Sequence, residues 1–436
     1  MNRLSDRPNF IFIMADDLGY ADLGCYGGRA PVSPHLDRMA DEGVRFTDAY
    51  ANLPVCSPTR FALMTGRYQY RLRGAAEEPL TSRYRGSAEL GLSPEHPTLP
   101  SLLRGAGYHT ALVGKWHLGF APHFGPLKSG YMEFFGAMGG GLDYFTHRDS
   151  NGTHDLYDGD TQTHEVGYLT DLISNRAVRC IEASAGRRQP FLLSVHYTAP
   201  HWPWETRGDE AEAGRIAGAL AHTDGGSVQT YQSMIHHMDE GIGRIFAALR
   251  AHGLDENTVV VFTSDNGAER FSDTWPLVGK KMDLLEGGIR VPLLVRWPGR
   301  IAAGHVSGQV TITMDWVATF LEWADVAPHP EYPLDGESLC AHFETQGQPT
   351  QRVLYWRMKY RDQQALRDGD WKYLSIEGND YLFNLAHDAR ERANLARRDP
   401  ERLARMRAAY AHWCETMPGI PQDARSVLVY THKDMP

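Results

Sequence analysis

Paired cysteines are missing from this sequence. Its five, Cys25, Cys56, Cys180, Cys340 and Cys414, are scattered, odd in number and form no C-x-x-C unit, so neither a disulfide framework nor a zinc site is indicated. That usage fits a reducing compartment. Positive charge is not in excess either. There are 44 Lys and Arg against 54 Asp and Glu, a formal net charge of -10, which opposes broad attraction to nucleic acid or to an anionic membrane. An anionic substrate would have to be attracted locally. No apolar run approaches membrane-spanning length, and no G-x-G-x-x-G, P-loop, internal repeat or low-complexity tract occurs. An apolar strand-like run at 10–14 comes almost at once, followed by Asp16, which leaves neither the h-region nor the cleavage site of a signal peptide. The expected location is therefore cytoplasmic, with the periplasm or the exterior following only if a leader was trimmed.

What is present is an ordinary globular composition, 42% hydrophobic and 22% charged, in a chain of 436 residues. That length calls for one large core with a smaller one appended. Apolar runs at 10–14, 110–113, 191–195, 259–263 and 292–296 alternate with amphipathic stretches, which predicts an α/β fold with a large, mostly parallel central sheet flanked by helices. Ser33-Pro34 and Gly43 bracket one helix, and Met234, Met238, Ile242, Ile245 and Leu249 form the buried stripe of another. From about Val353 short strands follow at 353–356, 371–374 and 381–383, then an Arg-rich helix begins near Pro400. The expected division is an α/β domain over 1–345 and a small antiparallel sheet with a helix over 346–436. The Gly139-Gly140-Gly141 piece and the polar stretch 147–160 lack periodicity and read as loops over the sheet.

In open α/β sheets ligands bind beyond the carboxyl ends of the strands, so polar residues after apolar runs are the first candidates. Asp16-Asp17 and Asp265-Asn266 occupy such ends and together offer a hard-cation site. Oxygen-only ligation suits Ca²⁺ or Mg²⁺ better than zinc. Each pair also has a plainer reading, Asp-Asp as a cap or turn and Asn266-Gly267 as a hairpin signal. In Cys56-Ser57-Pro58-Thr59-Arg60 the Ser-Pro pair resembles a helix start, which would place Cys56 where backbone N–H groups favour an anion, with Arg60 one turn on; a buried structural cysteine is the alternative. Strand alternation could aim Lys115 and His117 to one side, or they are a solvated lysine beside a core histidine. His201, in Pro200-His201-Trp202-Pro203, is either a general acid or loop packing. Lys281 alone reads as a surface charge. His147, His154, His164, Trp202 and Trp204 either line a pocket or, more simply, face solvent.

Cys56-Ser57-Pro58-Thr59-Arg60, continued by Leu63-Met64-Thr65-Gly66-Arg67, resembles the first signature of the formylglycine-dependent sulfatases of the alkaline phosphatase superfamily, C-x-P-x-R followed by L-x-T-G-R. Gly107-Tyr108-His109-Thr110 through Gly114-Lys115-Trp116-His117-Leu118-Gly119 resembles the second signature. The opening Arg7-Pro8-Asn9 to Asp16-Asp17, then Ser264-Asp265-Asn266-Gly267, Lys281 before Glu286-Gly287-Gly288, and Arg367-Asp368-Gly369-Asp370-Trp371-Lys372-Tyr373 extend the likeness nearly end to end. Ala386-His387 departs from it, since relatives more often carry an acidic or polar run into the residue corresponding to Asp388.

The resemblance implies an alkaline-phosphatase-like fold and hydrolysis of a small-molecule or saccharide sulfate ester to alcohol and inorganic sulfate. It implies that Asp16, Asp17, Asp265 and Asn266 hold a divalent cation, usually Ca²⁺ with Mg²⁺ or Mn²⁺ as substitutes. Cys56, oxidised to formylglycine by a formylglycine-generating enzyme, would be a further ligand and the nucleophile. A thiosulfate-like adduct has no easy internal route to release, whereas an aldehyde hydrate attacks with one hydroxyl and expels sulfate through the other. Arg60, Lys115 and Lys281 would neutralise charge, His117 would assist deprotonation of the hydrate, and His201, with Lys281, would protonate the leaving oxygen. The same ligand set serves phosphonate monoester and phosphodiester hydrolases, and a chain with unmodified Cys56 would be a non-catalytic anion binder. Substrate choice, aryl or carbohydrate, is assigned to the loops 139–160 and 202–224, and oligomeric state is not readable.

Overall fold

The computed structural model describes residues 7–187, 189–216, 218–345 and 349–428. Ten strands form one mixed sheet in the order His305–Ser307, Val44–Phe46, Leu293–Arg296, Thr258–Ser264, Asn9–Ala15, Phe191–His196, His109–Gly114, Glu133–Ala137, Leu156–Asp158 and Thr161–Gln162. Asn9–Ala15 lies at its centre, parallel to both neighbours. Its residues are apolar without interruption after Asn9 because both faces are covered. Phe10, Phe12 and Met14 enter one core, with Phe61, Leu103, Trp316 and Phe320. Ile11, Ile13 and Ala15 enter the other, with Ile173, Met238 and Ile242.

The five expected strands all form, one residue longer at most ends. Two expectations need correction. The stretch 147–160 is not loop throughout, because Leu156–Asp158 joins the sheet antiparallel to Glu133–Ala137. Ser264 to Gly267 does not form a hairpin: Gly267 N–H donates to Gly288 O at 2.9 Å, and the chain enters a long irregular loop. The helix Pro34–Asp41 forms after Ser33, but Ser33 makes no capping hydrogen bond; its Oγ accepts from Gly24 N–H and donates to Asp37.

The expected division at 345/346 lies outside the described residues. From Val353 onward the four strands Val353–Met358, Gln363–Asp368, Trp371–Ile376 and Asn379–Asn384 form an antiparallel meander, followed by helix Pro400–Glu415, whose start is capped by Asp399 accepting from Arg402 N–H. This small sheet shares a core with the start of the chain. Leu354, Trp356 and Leu366 pack with Tyr50, Val55 and Ala62, and Trp356 Nε1 donates to Ala51 O at 3.0 Å. Among the described residues no helix is long and apolar enough to cross a membrane.

Candidate active site

The site forms where strands end. Ala15 pairs with Ser264 across the parallel ladder, so Asp16-Asp17 and Asp265-Asn266 leave the sheet side by side. Asp17 turns away at φ 65°, its N–H donating to Asp265 Oδ1 at 3.3 Å. Cys56 is the first residue of helix Cys56–Thr65, all ten residues of which are buried. The expected helix start is present, although Val55 rather than Ser57 precedes it; Ser57 Oγ accepts from Leu80 N–H and Thr59 Oγ1 braces the backbone of Leu53. One potential ligand atom each from Asp16, Asp17, Cys56 and Asp265 lies within 4.8 Å of the others, and a His201 ring nitrogen is equally close to Asp16 and Cys56.

Three cations bind the three carboxylates. Arg60 donates from Nε and Nη2 to Asp265 Oδ2 at 3.1 and 2.8 Å, Lys115 Nζ donates to Asp16 Oδ2, and Lys281 Nζ donates to Asp17 Oδ2 at 2.7 Å. Asn266 Nδ2 donates to Asp17 Oδ1 at 2.7 Å. Two buried acceptors remain without any partner, Asp16 Oδ1 and Asn266 Oδ1. A buried oxygen without a donor is costly, and two beside a carboxylate cluster fit a hard divalent cation. Burial, then the neighbouring Asp16, pushes Asp265 up to about 6. Burial also works against ionisation of Asp17, but Lys281 and His201 outweigh it and bring that carboxyl down to about 2. Burial pushes the Cys56 thiol well above its usual range despite Lys115 and Lys281, so an unmodified Cys56 stays a thiol at neutral pH.

The two histidines are fixed as tautomers by backbone carbonyls. His117 Nε2 lies 2.7 Å from Leu80 O and must carry the proton, which leaves the buried, unpartnered Nδ1 as a lone pair. His201 Nδ1 lies 2.6 Å from Trp202 O and donates there, so Nε2, 3.6 Å from Asp17 Oδ2, is the free nitrogen. Burial, with Lys281 adding to it, lowers His201 to about 3. The strand alternation expected for Lys115 and His117 does not apply, because the strand ends at Gly114 and His117 has φ 60°.

All ten residues named from the sequence thus come together, and four of them, Cys56, His117, His201 and Lys281, line a cavity of about 1000 Å³. The loop expectations divide. Gly139 to Gly141, Asp149, Ser150 and Trp202 line the cavity. His147 is buried, its Nε2 on Gly167 O; His154 binds Thr163 O and lies against the tilted ring of His164, so these rings hold the loop together. Trp204 is buried against Phe271. Sequence reading missed Glu269, Tyr360 and Arg361 on the cavity wall. Glu269 had a signal, standing three residues after Asn266, whereas Tyr360 and Arg361 arrive from the small sheet and had none.

A family model described as sulfatase matches residues 8–326, and one described as the C-terminal part of N-sulphoglucosamine sulphohydrolase matches 275–405. The chain is 34% identical over 372 residues to N-acetylgalactosamine-6-sulfatase of Sus scrofa, covering 80% of this chain and 68% of that protein. It is 31% identical over 417 residues to steryl-sulfatase of Mus musculus, covering 76% of this chain and 64% of that one. The crystal structure of Ps i-CgsB in complex with k-i-k-neocarrahexaose superimposes with a TM-score of 0.83 at 30% identity, covering 93% of this chain and 92% of the other. The chain belongs to the sulfatase family, the sulfuric ester hydrolases of the alkaline phosphatase superfamily.

Proposed function

We propose that this chain hydrolyses carbohydrate sulfate monoesters, with a formylglycine made from Cys56 by a formylglycine-generating enzyme as nucleophile and Ca²⁺ held by Asp16, Asp17, Asp265 and Asn266. The observation that carries this reading is the pair of unpartnered acceptors, Asp16 Oδ1 and Asn266 Oδ1, in the same cluster as the Cys56 side chain. When present, the cation offsets negative charge on the attacking oxygen and the hydrated aldehyde supplies that oxygen.

The chain's own residues do the rest. Arg60 and Lys115 occupy one oxygen each of Asp265 and Asp16, which holds both carboxylates in place. His117 offers Nδ1 as the proton acceptor. His201, steadied through Nδ1, offers Nε2 as the atom that carries a proton to the leaving oxygen; the nitrogen is neutral at rest, and a bound sulfate anion would favour its protonation. Lys281, on Asp17, adds positive charge where sulfuryl oxygens would sit.

A carbohydrate substrate is supported by the cavity, whose volume is at the upper end of the roughly 300 to 1000 Å³ usual for small-ligand sites, and by its Trp202 wall. It is supported too by the saccharide names of the relatives. The first test is the mass of the tryptic peptide from Phe46 to Arg60, which contains Cys56 and no internal Lys or Arg. Oxygen in place of sulfur, less two hydrogens, is expected; an intact thiol after co-expression with the generating enzyme would refute the nucleophile. Turnover of sulfated saccharides, aryl sulfate and an aryl phosphonate monoester follows, and preference for the phosphonate would overturn the sulfate reading.

A further inference from the structure

Lys281 sits on an irregular loop, and the next residue, Met282, has φ 73°, a left-handed conformation unfavourable by roughly 1–2 kcal/mol for a residue with a side chain. Such a turn persists only where its surroundings hold it. Three anchors do so. Lys281 N–H donates to Ala268 O at 2.7 Å, two residues past Asn266, and Met282 N–H donates to Pro54 O at 2.8 Å, two residues before Cys56. The third anchor comes from the small C-terminal sheet. Gln363, fully buried at the start of strand Gln363–Asp368, donates from Nε2 to Met282 O at 2.8 Å and accepts at Oε1 from Leu284 N–H at 2.9 Å. One amide thus grips the backbone on both sides of Asp283. Arg361 and Asp362, at φ 57° and 45°, form the turn that delivers it.

We propose that Gln363 is a positioning residue that acts through Lys281, holding its ammonium group on Asp17 and beside Cys56; the inference rests on the reading of the site given above. The C-terminal sheet then contributes to sulfate chemistry without touching substrate. Gln363→Met keeps the volume and removes both of these hydrogen bonds, together with the one from Nε2 to Tyr360 O at 3.1 Å within its own turn. Gln363→Glu keeps the acceptor for Leu284 N–H and sets an oxygen against Met282 O.

The experiment is a double-mutant cycle with Lys281→Ala, read in kcat for an aryl sulfate and in the Kd of inorganic sulfate, on protein whose Cys56 peptide has been weighed. Gln363→Met is expected to lower kcat about tenfold to hundredfold, as loss of orientation does, and to weaken sulfate binding. Both effects should disappear in the Lys281→Ala background. A loss of equal size with and without Lys281 would overturn the proposal and leave Gln363 as packing. If Gln363→Met fails to fold, the same cycle with Gln363→Glu decides. The sulfate-affinity arm needs no turnover, so an inactive parent chain refutes the proposed reaction while that arm still decides the role of Gln363.

Discussion

Two buried charge clusters of equal formal charge lie within this molecule, and only one belongs to the site. The first sets Asp16, Asp17 and Asp265 against Arg60, Lys115 and Lys281. The second sets Asp48, Glu286 and Glu391 against Arg290, Arg367 and Lys372, between the large sheet and the small one. Perturbed acidities do not tell them apart. Burial opposes ionisation in both, yet one carboxyl in each is brought to about 2, Asp17 by Lys281 and His201 and Glu286 by Lys372 and Arg290. One in each is pushed upward by burial, Asp265 to about 6 and Glu391 to about 7.

The difference is completeness. Every carboxylate oxygen of the second cluster has a cation or donor within 3.5 Å, although Glu391 Oε1 makes no hydrogen bond and is held only by the ion pair with Lys372: Glu286 takes Lys372, Tyr50 and Arg290, Glu391 takes Lys372 and Glu286 N–H, and Asp48 takes Arg367 and Arg290. The first leaves Asp16 Oδ1 and Asn266 Oδ1 open, and residues of that site line the cavity. Shifted acidities mark a functional site only together with unfilled valence and access.

Three measurements would break or sharpen this contrast. Lys372→Met leaves two buried carboxylates without their shared cation and should cost about 3–5 kcal/mol of stability in a denaturant titration. A variant of unchanged stability that has lost sulfate affinity would move the second cluster into the site. Next, free Ca²⁺ at a hundredfold excess over its Kd should stabilise the parent by about 2.7 kcal/mol, seen as a rise in Tm that a chelator reverses and Asn266→Leu diminishes. No shift in Tm would make the first cluster a salt-bridge network like the second. The smallest effect is expected in acid. Glu286 titrates at about 2 when folded against an ordinary 4.5, so its contribution is complete above pH 4.5 and is lost as pH falls through about 2. Glu391, raised by burial to about 7, works in the opposite sense, but between about pH 4.5 and 7, so it leaves the acid window to Glu286. Urea midpoints of Glu286→Gln should vary less across that window than those of the parent.

The sequence was most legible where burial is two-sided. Runs such as 259–263 are apolar throughout and could be read as central strands, and the acidic residues directly after them marked the strand ends where ligands gather. Val44–Phe46 and His305–Ser307 escaped notice because three residues carry no period. Gln363–Asp368 escaped because it opens on two glutamines, one of them fully buried for the sake of a backbone 80 residues earlier. The identities at the site were readable because they are local motifs. The orientation of Lys281 and of His117 was not, since each depends on a left-handed residue and on carbonyl groups from distant segments.

The pairing of Ala15 with Ser264 has a consequence for assembly. Asp17 and Asp265 are 248 residues apart along the chain, and their meeting depends on in-register closure of the central parallel strands. Such closure is entropically expensive and contributes nothing until most of the intervening chain has condensed. A chain that lacks the segment past Ser264 therefore carries Cys56 without Asp265 and Asn266, and a slip of a single residue in that ladder would turn the ligands to opposite faces. Cation binding, if the site is as proposed, would therefore gauge directly whether the central sheet has closed.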